Sequence, residues 1–240
     1  MKSRFVHIAV LSASLLISFP SFMASPAIAF EGKTWSASKI EKVRKRATIA
    51  ADKKKWSLAI RYNEQVLAVL RSRAMQDSAP YIQALILGAD YYAQAGRVME
   101  ADARAAEAYA RAEANLPGAH EITRAARAAH YRQLIARQDY SAALALVEEA
   151  VAALGVTVDD DYRRHRYLKH LYSLYGLTGQ LAREAETIEA FLRLDRQLYG
   201  NTAIDHAKVL QNLANSYCLQ GKLQEFENLR PKLSGDFVCP

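Results

Sequence analysis

Glycine and proline are scarce in this sequence, with ten and six residues among 240. Both residues interrupt helices, so their scarcity permits long helical segments. Alanine, leucine, arginine, glutamate, glutamine and lysine dominate the composition, and all of them favour helix. Valine and isoleucine are scattered rather than alternating, which argues against strands. The sequence therefore predicts an all-α protein.

The chain also lacks the motifs of common catalytic and nucleotide-binding sites. It contains no Cys-x-x-Cys, no His-Glu-x-x-His, no glycine-rich phosphate loop and no Gly-x-Ser-x-Gly. His130 falls on an apolar helical stripe, where a packed histidine is the expected role. We predict no catalytic residue, no metal site and no cofactor, and we expect a protein that is not an enzyme. An enzyme built from groups that converge only in space is kept as a third hypothesis.

Long hydrophobic runs are absent except at the N-terminus. Lys2 and Arg4 border an apolar stretch over residues 5–17, and Ala27-Ile28-Ala29 offers a cleavage site of small residues. This order is typical of a secretory signal peptide at 1–29. The run is shorter than the roughly 18 residues expected of a membrane span, and an uncleaved anchor is the alternative. We expect export to the periplasm, with release from the cell as the other option.

The positive charge is concentrated near the start of the chain. The formal net charge is +7, and residues 31–75 alone hold twelve Lys or Arg against four Asp or Glu, a balance of +8. Export makes nucleic acid an unexpected partner. The basic segment is interpreted as a solvated capping helix, with contact to anionic membrane headgroups as the alternative.

A repeat of about 42 residues organises the rest of the chain. Gly96, Gln138, Gly179 and Gly221 recur at intervals of 42, 41 and 42 residues, and Lys54 lies 42 residues before the first of them. Each of the later anchors follows an apolar stripe with helical spacing. A period of this size is the mark of a helical repeat array. A plain helical bundle is the alternative, and the regular spacing argues against it.

The last repeat carries the pattern most fully. The run LQNLANSY at 210–217, followed by Gly221-Lys222-Leu223, resembles the tetratricopeptide repeat (TPR) in its longer kinesin-light-chain form. The resemblance implies a right-handed α-solenoid of about five antiparallel helix hairpins over 37–233, after a short segment at 30–36 and before a tail at 234–240. Three departures from the pattern stand out: Lys54 and Gln138 replace the turn glycine, and Glu184 replaces a small residue, which we expect Ala185 to supply.

The resemblance also implies a binding face. In TPR proteins the first helix of each repeat lines a concave groove that holds an extended peptide. Asn and Gln side chains there can pair with a peptide backbone, and Lys and Arg can orient carboxylates. Lys169 and Asn212 match two positions of the terminal-carboxylate clamp found in some TPR proteins, whereas Ser173 stands where Asn is expected. The candidate partner-binding residues are Arg132, Arg166, Lys169, Ser173, Lys208, Gln211, Asn212 and Asn215.

Three successive acids, Asp159, Asp160 and Asp161, precede a basic stretch in the fourth repeat. Acids at this position favour a helix N-terminus. A calcium loop is the alternative, but the glycine and the closing glutamate of an EF-hand are missing. We interpret the triplet as a helix cap.

Cysteine occurs only at Cys218 and Cys239. No cysteine comes directly after the cleavage site, so a lipid-anchored lipoprotein is not expected. Export would place both thiols in an oxidising compartment. We predict an intramolecular disulfide that fastens the tail over the last repeat, worth about 3 kcal/mol for a loop of this length. Two free thiols or an intermolecular bridge are the alternatives.

These observations favour an exported, non-catalytic scaffold for protein–protein interaction. It would bind an extended or acidic peptide segment of another secreted or envelope protein in its concave groove. The alternative is a structural or assembly protein that acts by self-association or membrane-surface contact through its basic first repeat. The sequence makes no prediction of the partner's identity or of the oligomeric state.

Overall fold

Ten α-helices follow one another in the computed structural model, which describes residues 35–200, 206–233 and 237–239. No strand occurs among these residues, as the composition predicts. The predicted signal peptide lies outside the described residues, as does most of the short segment that follows it. The helices are α1 Ala37–Asp52, α2 Trp56–Ser72, α3 Ala79–Gln94, α4 Val98–Asn115, α5 Glu121–Ala136, α6 Tyr140–Ala152, α7 Val158–Leu177, α8 Leu181–Tyr199, α9 Ala207–Leu219 and α10 Leu223–Leu229.

Consecutive helices pair into five hairpins, α1–α2 to α9–α10, which are numbered 1 to 5 here. The second helix of each hairpin packs against the first helix of the next, and so every hairpin contacts its neighbours along the chain. This nearest-neighbour stacking defines a solenoid. The prediction of a right-handed α-solenoid with five hairpins is confirmed.

The five hairpin turns share one backbone conformation. The anchor residues Lys54, Gly96, Gln138, Gly179 and Gly221 all have positive φ, between 54° and 74°. The next residue donates its N–H to a carbonyl five positions earlier, at 2.8–2.9 Å in every turn. This is the hydrogen bond of a Schellman motif. The two departures from glycine therefore leave the repeat register unchanged.

Alanine lets the helices within the solenoid approach closely. The fifth residue after the turn is fully buried in the first three hairpins, as Ala59, Ala101 and Ala143. In α4 the same face continues with Ala105 and further alanines, all without solvent exposure. Larger side chains from neighbouring helices fill the space above these small residues. The abundance of alanine is thus a packing requirement of the repeat.

The fourth hairpin accommodates Glu184 by a glycine on the facing helix. Glu184 occupies the position of Ala101, and a Cβ placed on Gly176 would lie 2.7 Å from its Oε1. Burial raises the pKa of Glu184, and a hydrogen bond with Ser216 opposes that rise. The expectation that Ala185 takes over this position is wrong, because Ala185 fills the next buried position, equivalent to Leu144.

The C-terminal tail closes the last hairpin. Helix α10 ends at Leu229, and a 3-10 turn over Arg230–Lys232 follows, as Pro231 requires. Cys218 and Cys239 form the expected disulfide, with their Cα atoms 5.4 Å apart. Phe237 packs against Phe226 at a ring distance of 6.0 Å. The tail therefore covers apolar surface of the last hairpin, although Leu223 at the start of α10 remains 60% exposed.

Thr157 is the N-cap of α7, and the acid triplet lies in the first turn of this helix. The hydroxyl of Thr157 accepts from the N–H of Asp160, whose carboxylate accepts from Thr157 in return, forming a capping box. Asp160 and Asp161 also pair with Arg163 and Arg164. No group of three or more potential metal ligands occurs in the described parts of the chain. The helix-cap interpretation therefore holds for Asp160 alone, and the other two acids are first-turn residues near the positive end of the helix.

Candidate peptide-binding face

The predicted binding residues of hairpins 4 and 5 occupy equivalent positions. They lie 13, 10, 9 and 6 residues before the turn glycine, a spacing that puts them on one helical face. The same four positions in α1, α3 and α5 define the inner face used below. Its members in α7 and α9 are Arg166, Lys169, His170, Ser173, Lys208, Gln211, Asn212 and Asn215.

Hydrogen bonds between successive first helices show that these stripes lie side by side. Arg44 in α1 donates to Gln83 in α3 at 2.8 Å. The hydroxyl of Tyr131 in α5 and Nδ1 of His170 in α7 are 3.1 Å apart, and their rings meet edge to face at 5.0 Å. The inner face is therefore continuous from α1 to α7 at least.

The cations at the C-terminal end of the inner face are exposed and unpaired. The side chains of Arg166, Lys169 and Lys208 are all exposed, and none forms an ion pair with an acid in the described residues. Burial lowers the pKa of His170, and the charge of Lys169 lowers it further. The lowered pKa favours the neutral form of His170, so the positive charge on this face comes mainly from the lysines and Arg166.

The inner face of α9 carries three amide side chains next to these cations. Asn215 is exposed, Gln211 and Asn212 are half-buried, and no hydrogen bond between these side chains and other described residues occupies them. Each amide offers two donors and one acceptor group. The three side chains thus retain the capacity to pair with a peptide backbone.

Two of the predicted residues are engaged within the protein. Arg132 donates to Asp90 at 2.7 Å, an ion pair between α5 and α3 that neutralises both charges. The hydroxyl of Ser173 donates to the carbonyl of Lys169 at 3.0 Å, within its own helix. The structure thus brings the predicted residues together on one face, and those that form no ion pair within the described residues lie in hairpins 4 and 5. Lys45, an inner-face residue of α1, is also exposed and forms no such pair.

A second groove, which the sequence did not predict, lies in the N-terminal half of the solenoid. It has a volume of about 600 Å³ and is lined by residues of α3 and α5 together with Trp56 and Val98. Tyr91 and the Arg132–Asp90 pair form part of its wall. Trp56 comes directly after a turn, where a lone aromatic gives no sequence signal for a groove.

A buried carboxylate was also missed. Asp195 in α8 is fully buried, and its two oxygens lie 2.6 Å from Nε2 of His165 and 2.9 Å from Nε2 of His206. Each imidazole must carry its proton on Nε2 to donate to this carboxylate. His165 also stacks on Phe191 at 4.5 Å. These residues join α7, α8 and the start of α9 beneath the inner face.

Comparison with known proteins supports the fold. No protein-family model matches the sequence, and no curated protein matches it. The TPR-like repeats of a putative kinesin light chain from Podosopora anserina are 20% identical, with a TM-score of 0.61 over 81% of this chain and 93% of that one. BtubC from P. vanneervenii is 18% identical, with a TM-score of 0.59 over 85% and 84%. MamA from Desulfovibrio magneticus is 16% identical, with a TM-score of 0.54 over 80% and 92%.

At these identities the likeness concerns the fold alone. It agrees with the five equivalent turns, the buried alanines and the continuous inner face. The chain has a TPR-like fold of the kind seen in kinesin-light-chain repeats.

Proposed function

We propose that this protein is an exported scaffold that binds an extended, acidic peptide segment of another secreted or envelope protein. The observation that carries the proposal is the set of exposed cations on the inner face of α7 and α9, Arg166, Lys169 and Lys208, which form no ion pair within the described residues. They stand beside the free amides of α9 on a fold that serves protein interaction. The TPR-like fold is typically a non-catalytic scaffold, which favours binding over catalysis.

The inner face supplies the parts that docking needs. Asn212 and Asn215 pair with the peptide backbone, which every sequence offers, so they give affinity without demanding one side chain. The cations orient the peptide through its carboxylates. Because Arg132 is already paired with Asp90, the acidic end of the peptide lies over α7 and α9.

Export is proposed on the signal-peptide pattern of residues 1–29. The disulfide between Cys218 and Cys239 fits an oxidising compartment such as the periplasm. Mass spectrometry of the protein isolated from cells tests this directly. We expect a mature N-terminus at Phe30 and recovery from the periplasmic fraction; an intact Met1 in the cytoplasm would contradict it.

Binding is tested by crosslinking in intact cells, followed by identification of the captured protein. The variant Lys169→Glu/Lys208→Glu reverses two inner-face charges. The control Lys42→Glu/Lys53→Glu makes the same change in net charge on exposed residues of the first repeat. We expect the first variant to lower capture about tenfold or more and the control to leave it unchanged. Equal capture by wild type and the inner-face variant would refute the proposal.

A second candidate is assembly or membrane contact through the basic first repeat. Lys39, Lys42, Lys45 and Lys53 are exposed without ion pairs in the described residues, and Ile49 among them is 53% exposed. None of the described helices is both long and apolar enough to cross a bilayer. Sedimentation with phosphatidylglycerol vesicles tests surface contact. Salt-sensitive binding that Lys42→Glu/Lys53→Glu removes would support this candidate.

A further inference from the structure

A narrow crevice opens in the middle of the inner face, between α5 and α7. Its floor consists of Leu146, Val147 and Ala150 from α6, and all three are buried. Its volume is about 90 Å³. The feature is called the α5–α7 crevice below.

Aromatic rings and one small residue form the mouth of the α5–α7 crevice. Tyr131 and Tyr167 line it from α5 and α7, and His170 joins Tyr131 by the hydrogen bond described above. Ala128 lies at the rim and is exposed. Ala128 and His170 both occupy inner-face positions, so the crevice opens onto the surface along which the peptide is proposed to run.

The crevice exists because the inner-face side chains are smaller in α5 than in α7. Its positions in α7 carry Arg166, Lys169, His170 and Ser173, whereas three of the four in α5 are Ala125, Ala128 and Ala129. Small side chains at these positions leave the apolar residues of α6 accessible from the inner face. The face therefore runs from an apolar middle at α5 to a cationic end at α7 and α9.

The charged groups that line the crevice are two arginines. Arg124 and Arg127 line it, and no carboxylate does. Arg127 is 9% exposed at its side chain; its Nη2 donates to Glu113 at 2.8 Å, but its buried Nε has no hydrogen-bond acceptor in the described residues. The pairing with Glu113 keeps the guanidinium of Arg127 at the wall of the crevice.

We propose that the α5–α7 crevice holds a branched aliphatic side chain, Val, Leu or Ile, of the acidic peptide bound on the inner face. A cavity of about 150 Å³ accepts a benzene ring, so a crevice of about 90 Å³ suits an aliphatic group and is too small for an indole. The acidic residues of the peptide extend toward Lys169 and Lys208. This inference rests on the proposed function and adds the residue that sets specificity.

The test uses fluorescein-labelled peptides with amidated C-termini and the purified protein with its disulfide formed. Each peptide has a Gly-Ser background, a Glu-Glu pair and one guest residue placed one to four positions before the pair. The guests are Gly, Val, Leu and Trp. Fluorescence polarisation gives the dissociation constant of each. Ala128→Phe fills the crevice at an exposed position, and Ala110→Phe, also exposed but on α4, is the matched control.

We expect the best Leu or Val peptide to bind about tenfold or more tightly than its Gly counterpart, as burial of such a side chain predicts. Ala128→Phe should remove this preference and Ala110→Phe should keep it. Binding that needs the Glu pair but ignores the guest, or that is tightest with Trp, would overturn the crevice inference alone. Equal binding after Glu-Glu is replaced by Gln-Gln, or no binding by any peptide, would overturn the proposed function as well.

Discussion

The interfaces between hairpins 1 to 4 and the interface between hairpins 4 and 5 are held together in different ways. Arginine–carboxylate pairs bridge the former: Arg104 reaches Glu64 at 2.9 Å, Arg137 reaches Asp102 at 2.7 Å, and Arg183 reaches Glu148 at 3.1 Å. No such pair joins hairpins 4 and 5 within the residues the structure describes. There the buried carboxylate of Asp195, held by His165 and His206, takes that role.

The difference bears on which charges are available to a ligand. Where arginines bridge neighbouring hairpins, as Arg132 does with Asp90, their charge is neutralised inside the scaffold. Between hairpins 4 and 5, where the buried carboxylate of Asp195 takes the place of such pairs, the inner-face lysines form no ion pair within the described residues. Structural and ligand-binding charges are thus separated along the solenoid.

The largest effect is expected at the buried carboxylate. Asp195→Ala leaves His165 and His206 without their acceptor and removes a fully buried side chain. We expect a loss of about 3–5 kcal/mol in the free energy of unfolding. Urea denaturation measures it, and hydrogen exchange should show the loss in α7 to α9 and not in α1 to α4. The exposed Asp159→Ala is the control, and equal stability of the two variants would refute the role of Asp195.

The disulfide is expected to come next. Cys239→Ser releases the tail from α9, and a loop closed over a separation of 21 residues predicts a loss of about 3 kcal/mol. Only hairpin 5 should lose protection from hydrogen exchange, since repeats depend mainly on their neighbours. Reduction of the wild type with dithiothreitol should reproduce the result; an unchanged denaturation midpoint would show that the bond does not cap the array.

A gain of stability is predicted at a turn. Gln138 has a φ of 62°, a conformation that costs an L-residue roughly 1–2 kcal/mol. Gln138→Gly should therefore stabilise the protein by about 1 kcal/mol in thermal or urea denaturation. Gly96→Ala should lose a similar amount, because its Cβ would meet no atom within 4 Å and only the backbone is strained. Gly118→Ala serves as the control, because a Cβ there also meets no atom within 4 Å but the residue does not have positive φ. An equal loss of stability in this variant would show that positive φ is not the cause.

The repeat anchors made most of the fold predictable from sequence. Gly96, Gly179 and Gly221 mark turns that need positive φ, and their common spacing located the degenerate turns at Lys54 and Gln138 as well. Local rules also predicted the α7 cap and the pairing of the cysteines. The turns and the start of α7 depend on short-range backbone geometry, which can be inferred from a single sequence. The cysteine pairing could be predicted because the sequence has only two cysteines.

The candidate site was less predictable because its properties depend on pairing in space. The sequence placed Arg132 and Lys169 in the same group, yet only Lys169 lacks a carboxylate partner, since Asp90 lies a whole repeat from Arg132. Asp195 occupies the position held by Ala112 in hairpin 2. No local sequence pattern predicts that His165 and His206 contact its carboxylate. Even the accommodation of Glu184 needs Gly176 on the facing helix.

Glu184 offers a pH test within hairpin 4. Burial raises its pKa, so the ionised form is disfavoured in the folded state. The folded protein is therefore penalised at pH above this raised pKa, and the penalty fades as pH falls toward the unfolded value near 4.5. Glu184→Gln should raise the denaturation midpoint slightly at pH 7 and less at pH 4. A gain that is equal at both pH values would contradict this origin.

The smallest effect on stability is expected at Asp90. This residue also tests whether ion pairing within the scaffold keeps Arg132 from binding a ligand. The Arg132–Asp90 pair has side chains 51% and 45% exposed, and exposed pairs contribute about 0–1 kcal/mol. Asp90→Asn should hardly change the denaturation midpoint, yet it frees the charge of Arg132 on the inner face. We expect the Glu-Glu peptides to bind more tightly to this variant, with a steeper dependence on salt. Glu100→Gln, which releases Arg97 away from the inner face, is the matched control. If both variants bind like the wild type, pairing by Asp90 does not limit where acidic peptides bind.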